Sequence, residues 1–275
     1  METVEKEKLE WARTEPMEVV RNQLRMRAHG IDATMRSVPA GSPVKLPKEL
    51  ADTVNEIMKI WISRGGDPNA PDIKYIKRIV KRHLICCKAG KTILDKPNKA
   101  CTALEQKVLF KIIRERRSIR SWTSKKVSRK LIEHVLDAGR WAPSSCNRQG
   151  SHYIVVDGKR ELDFLSKQPG AGELKYAPVI ILLGYDNRAV VAQEGVDLNA
   201  AASTQNILLA AHALGLGACW CFCYKCVVQK KEVRDYFNIP EPIILTSVLL
   251  MGWPADYPEP PARKPLKEMI HYGRF

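Results

Sequence analysis

Two short apolar runs set the terms on which this chain can fold. Pro178-Val-Ile-Ile-Leu-Leu-Gly184 and the stretch from Ile243 to Met251 show no polar alternation. Runs of this length read as strands covered on both faces, because a solvated face would place a polar side chain at every second position. Helices must supply the cover. Ser128 to Trp141 turns Leu131, Ile132, Val135, Leu136 and Ala138 inward, and Pro143 stops it. Asp197 to Leu214 is the longest strong helical pattern. Its Ala200, Ala201, Ala202, Ser203, Ala210 and Ala211 allow another helix to approach closely, and Gly215 and Gly217 end it. Further strands are expected over residues 152–157 and 218–224, and short helices over 159–167 and 229–236. The mixture predicts an α+β fold, a mixed β-sheet flanked by helices.

The first hundred residues read differently. A polar helix is expected over 5–29, a Pro- and Gly-containing linker over 37–47, and a second helix over 48–64 with Leu50, Val54, Ile57, Met58 and Trp61 on one side. A third helix, 72–89, puts Ile73, Ile76, Val80 and Leu84 on one face and Lys74, Lys77, Arg78, Lys81 and Arg82 around the rest. It reads either as a bundle helix with a solvated basic face or as a surface for nucleic acid or membrane. Two units are therefore expected, a helical extension over 1–103 and an α+β unit over 104–275.

The net charge of +15 permits an anionic partner, but it is spread along the chain rather than gathered into a basic arm. No run of about 18 apolar residues occurs, so no membrane span is expected. The opening Met1-Glu-Thr-Val-Glu-Lys-Glu-Lys8 lacks an apolar signal core. With eight cysteines in a chain of this size, reduced thiols in a cytoplasm are expected rather than a disulfide framework.

Chemistry is concentrated where a helix gives way to Arg116-Arg-Ser-Ile-Arg120. Thr102 and Glu105 form a capping-box pattern at its start, and Val108, Leu109, Ile112 and Ile113 fall at helical spacing. Extended backbone after Ile113 would place Arg116, Ser118 and Arg120 on one side and Arg117 on the other. Two guanidinium groups and a hydroxyl suit a phosphate. A solvated helix end is the alternative, since cations also favour that terminus.

Three later stretches bear on that choice: Ala142-Pro-Ser-Ser-Cys-Asn-Arg-Gln149, Asp197 to Gly217, and Arg263 to Tyr272. With the Arg116 segment, in this order, they make the chain from about residue 106 onwards resemble the FMN-dependent nitroreductase family. The resemblance implies that Arg116 and Ser118 take the FMN phosphate and ribityl end, with Arg263 as a second phosphate contact and Lys264 as a weaker one. Arg120 would reach the pyrimidine, and Arg117 would be structural within the same segment. The loop of Pro143, Ser144, Ser145, Asn147 and Gln149 would bind ribityl hydroxyls and ring atoms. The family usually continues with Gln-Pro-Trp; Gln149-Gly150-Ser151-His152 departs from it. Trp220, Cys221, Phe222 and Cys223 would run along the ring. The resemblance further implies a homodimer whose interface builds the site. It implies NAD(P)H as donor and an electron-poor small molecule as acceptor, such as a nitroaromatic, quinone or enone, with no nucleic acid or membrane as partner. No catalytic side chain is assigned, because hydride transfer through a flavin needs no side-chain nucleophile.

Cys219-Trp-Cys-Phe-Cys-Tyr-Lys-Cys226 also has the look of a thiolate metal or iron–sulfur site. Three cysteines on one strand would rise about 6–7 Å per pair, an awkward spacing for one tetrahedral ion. Finally, the extension enters the α+β unit at the Arg116 segment. It is expected either to border the substrate channel or to stand as a remote bundle.

Overall fold

A computed structural model describes residues 9–93, 99–190, 194–221 and 224–275, with only the backbone of Glu194. The extension contains α1 (Trp11–Thr14), α2 (Met17–Arg36), α3 (Glu49–Ser63) and α4 (Pro71–Ala89). The single helix expected over 5–29 is thus two helices, and the second runs on to Arg36. The break falls at Pro16, whose ring blocks helix continuation; residues 5–8 lie outside the described ones. These helices bury a core of their own, including Val20, Leu24, Ile57, Trp61, Ile73 and Ile76. The α4 helix packs that apolar face inward and leaves Lys74, Lys77, Arg78 and Lys81 exposed, the arrangement of a bundle helix. Gly90, at φ 64°, ends it in the left-handed conformation that a Cβ disfavours.

The α+β unit holds a four-stranded sheet of β1 (Ser151–Val156), β2 (Val179–Asp186), β3 (Gly217–Cys221) and β4 (Ile243–Gly252) in the order β1-β2-β4-β3. Neighbouring strands pair antiparallel. A parallel element enters at the β3 edge, where Ser118 bridges Ala218. The two apolar runs are the central strands, and both are covered on both faces as their composition requires. One face packs Ile181 and Leu249 against α6 (Arg129–Arg140) and α8 (Glu194–Ala213) through Ile132, Val135 and Ile207. The other packs Ile180 and Leu250 against α7 (Lys159–Ser166), α9 (Lys225–Val228) and the turn holding Leu174. The last helix, α10, spans Lys231–Tyr236. Of the strand expected over 218–224, the described residues 218–221 pair with β4, and Tyr224 is already the residue that precedes α9.

One helix stands apart. In α5 (Ala103–Glu115) no residue is buried, and Leu104, Val108, Leu109, Phe110 and Ile113 are each at least 45% exposed. The tail from residue 255 to 275 is exposed throughout.

Candidate functional site

The capping box at the head of α5 is formed: the Glu105 amide donates to Thr102 Oγ1 at 3.3 Å, and the Thr102 amide donates to Glu105 Oε2 at 2.6 Å. The helix ends at Arg116, whose ψ of 131° sends the chain out extended. The Ile119 amide then donates to the Ala218 carbonyl at 3.1 Å, tying this segment to the edge of β3. Ile119 is buried where Gly217 has no side chain; a Cβ there would lie 2.7 Å from Ile119 Cγ2. With Ile119 inward, period-two alternation puts Arg116, Ser118 and Arg120 on the opposite side. Arg117 turns back, and its Nη1 donates to the Arg114 and Arg116 carbonyls at 2.7 and 3.0 Å. It caps its own helix.

Arg116 makes no ion pair among the described residues. Its burial pushes the guanidinium down from its ordinary range, and the positive charges of Arg117 and Arg263 push further, with Cys219 opposing them. A half-buried cation among like charges is a site that an anion would relieve. That is the fit a phosphate-bearing cofactor requires, and Arg263, from the distant tail, is one of the groups brought to it. Lys264 is exposed beside Arg263. Arg120 is exposed and pairs with Glu173 at 3.4 Å. Glu173 in turn accepts from the Tyr224 hydroxyl at 2.9 Å. In β3, Trp220 is 37% exposed while Cys221 is buried. Phe222 and Cys223 lie outside the described residues. Cys226 is on α9 rather than on the strand, and no three metal-ligating side chains converge among the described residues.

The loop after α6 is held in an uncommon shape. Cys146, Asn147 and Gln149 all have positive φ, at 52°, 53° and 56°, without a glycine among them. Its own bonds fix part of this. The Gln149 amide donates to Ser144 Oγ at 3.0 Å, the Asn147 amide to the Ser144 carbonyl at 2.8 Å, and Gln149 Nε2 to Asn147 Oδ1 at 3.1 Å. Two outside groups complete it. Asn199 of α8 accepts from the Ser145 amide at 3.1 Å, and Arg25 of α2 donates to the Arg148 carbonyl at 2.9 Å. Pro143 is exposed at the loop's entry. Gly150 leaves room for the Tyr185 ring; a Cβ would sit 2.6 Å from Tyr185 Cε1.

Arg25 and Asn199 carried no sequence signal. Arg25 looks like one more charge on a polar helix, and Asn199 is a lone amide in an alanine-rich run. Glu173, the partner of Arg120, lies in a turn without motif.

The loop and the arginine segment engage opposite ends of α8. The loop is bonded to Asn199, whereas the positive charges of Arg116 and Arg117 act on His212, whose imidazole is pushed down first by burial. Thirteen helical residues separate these positions, a rise of about 20 Å. In one chain the two groups of residues therefore stand apart along α8.

The Nitroreductase family matches this chain over residues 113–169 and 165–253. A Methanothermobacter thermautotrophicus protein named NADH dehydrogenase/NAD(P)H nitroreductase is 35% identical over 151 residues, covering 54% of this chain and 79% of that protein. The FMN reductase (NAD(P)H) of Bacillus subtilis is 28% identical over 188 residues, covering 61% of this chain and 74% of that one. A nitroreductase from Desulfovibrio desulfuricans, solved in complex with FMN, superposes with a TM-score of 0.55 at 32% identity, covering 61% of this chain and 97% of that one.

Proposed function

The chain belongs to the nitroreductase family, and on that premise we propose that it is an FMN-dependent oxidoreductase that uses NAD(P)H to reduce an electron-poor small molecule. The observation that carries this reading is Arg116, half-buried, without a carboxylate partner among the described residues and crowded by Arg117 and Arg263. Bound FMN supplies two-electron transfer between a nicotinamide donor and the acceptor. The chain's own residues bind and orient. Arg116 and Arg263 neutralise the phosphate, Ser118 donates to it, and Lys264 adds a weaker positive field. Arg120 exchanges Glu173 for the pyrimidine end, where a cation stabilises charge on the reduced ring. Arg117 keeps the segment's backbone in place. Ser144, Ser145, Asn147 and Gln149, with Pro143 at the loop's entry, would form the polar wall for the ribityl chain and ring, and the β3 backbone at Trp220 and Cys221 would run along the ring's edge.

The active form in this reading is a homodimer. The loop and the arginine segment of one chain stand at opposite ends of α8, so the loop of one protomer would complete the arginine segment of the other. The bare apolar side of α5 and the exposed tail supply the surface for that pairing. No helix among the described residues is long and apolar enough to cross a membrane, and a cytoplasmic location fits a chain of reduced thiols. The extension, residues 1–103, borders the site: Arg25 ties it to the loop of the catalytic unit, residues 104–275.

The deciding experiment is the visible spectrum of the purified protein, followed by acid release and identification of the chromophore. About one FMN per chain is expected. A colourless protein that fails to take up added FMN overturns the reading.

A further inference from the structure

Along β3 the side chains alternate. Cys219 and Cys221 enter the core on the side of Val248 and Leu250, while Ala218 belongs to the opposite core. Both cysteines are buried, at 1% and 4% exposure. The Cys221 thiol donates to Cys219 Sγ with the sulfurs 3.6 Å apart. Two sulfurs at that separation, enclosed together, are a vicinal dithiol rather than two unrelated core residues.

The surroundings make one of them reactive. The Cys219 thiol is lowered to about 7, first by the hydrogen bond from Cys221, against burial, and then by the charge of Arg120, with Arg116 contributing. The thiolate is the form that attacks sulfur. Arg116 and Arg120 are also the cations assigned above to the flavin, so the pair lies beside that site. Strand geometry permits closure only just. Two residues span about 6.4–6.8 Å of strand, and disulfides bridge Cα atoms about 4.4–6.8 Å apart. A bond that must bend its strand is a reducible one, suited to turnover rather than to bracing the fold.

We propose that Cys219 and Cys221 form a reversible dithiol–disulfide centre that exchanges two electrons with the flavin. The proposal rests on the flavin reading above. On oxidation, the Cys219 thiolate and the Cys221 thiol form one S–S bond, releasing two electrons and the Cys221 proton. Bound oxidised flavin would be the two-electron acceptor, and the Cys221 proton, with one from water, would accompany the electrons. The reverse direction reopens the bond at the expense of reduced flavin, which NAD(P)H restores. Each chain then stores four electrons instead of two, which suits an acceptor reduced in two successive two-electron steps.

The test uses the purified holoprotein, oxidised with diamide and freed of reagent. Denatured thiol counts before and after should fall by two from the eight cysteines of the chain, and peptide mapping should place the bond between Cys219 and Cys221. Anaerobic titration with dithionite should consume about four electron equivalents per flavin, and about two in Cys219→Ser and Cys221→Ser. Cys226→Ser should retain four. An unchanged thiol count, a bond mapped to other cysteines, or two equivalents in the oxidised wild type overturns the proposal. Thiol count and mapping need no flavin, so a flavin-free protein that still joins the two sulfurs refutes the flavin reading and the electron exchange while leaving the disulfide established.

Discussion

Arg25 Nη1 donates to the carbonyl oxygen of Arg148 at 2.9 Å, across 123 positions of sequence. The same guanidinium donates to Asp72, Asn22 and Glu18, so a single buried side chain joins two helices of the extension to the loop of positive-φ residues. Replacing it leaves a buried carbonyl and a carboxylate short of donors. Arg25→Met is expected to destabilise the protein by about 3–5 kcal/mol, the range for breaking a buried ion pair. Arg148→Ala keeps the backbone acceptor and should cost about 1 kcal/mol. Urea unfolding of both variants checks this; equal losses would show that the bond to the loop is incidental.

Asp72 should give the extension an acid limit. Burial alone would raise its carboxyl, but hydrogen bonds from Arg21 and Arg25, with their charges, outweigh burial and hold it at about 2. The folded value lies below the unfolded value of about 3.9. The stabilisation is therefore present above about pH 4 and fades as pH falls towards 2. Asp72→Asn should melt below wild type at pH 7 and approach it near pH 2. A Tm gap that stays constant across that window contradicts the assignment.

Arg116 and Arg117 are neighbours with different duties. Arg117 is spent on the carbonyls of its own helix end, whereas Arg116 makes no ion pair among the described residues. Arg116→Ala should weaken FMN about ten- to a hundredfold, as expected for one lost charged hydrogen bond. Arg117→Ala should lower thermal stability and change FMN affinity less. Fluorescence titration with FMN separates them.

Gly217 sets the seat of Ile119, which in turn sets the faces of the arginine segment. A methyl group 2.7 Å from Ile119 Cγ2 has nowhere to go, because the β-branched side chain is itself buried. Gly217→Ala is expected to lose about 1–3 kcal/mol through overpacking and to weaken FMN through the displaced segment. Retained FMN affinity in a destabilised variant would detach the two effects.

Phe110 stands 54% exposed in the middle of α5. Phe110→Glu should convert a dimer to a monomer in sedimentation velocity and release FMN, while leaving the far-ultraviolet circular dichroism unchanged. A variant that still sediments as a dimer places the interface elsewhere.

The sheet was legible because β2 and β4 are covered on both faces, a condition that leaves its mark on every residue of the run. The faces of the arginine segment were legible from period-two alternation alone, given an extended chain; the inward seat of Ile119 against Gly217 agrees with that alternation. The loop was harder, since Cys146, Asn147 and Gln149 adopt left-handed backbone without glycine, and the groups that hold them there, Asn199 and Arg25, are 50 or more residues away. Periodicity also identified α5 as a helix but not what it packs on: Val108, Leu109 and Ile113 repeat as inward residues do, yet in one chain they face outward. A repeat reports that a face will be covered, not by which molecule.

In the proposed homodimer, the capping box on α5 bears on how quickly two copies would join. A helix with no buried residue draws much of its order from local terms: here the Thr102–Glu105 pair, an exposed Lys111–Glu115 contact and the Arg117 cap on the Arg114 carbonyl. Thirteen residues are marginal for an isolated helix in water, and a cap adds about 1 kcal/mol. That increment shifts the search for a partner from folding on contact towards docking of a ready-made surface. The backbone entropy of α5 is surrendered before encounter, so productive collisions become more frequent without any gain in the contacts finally made.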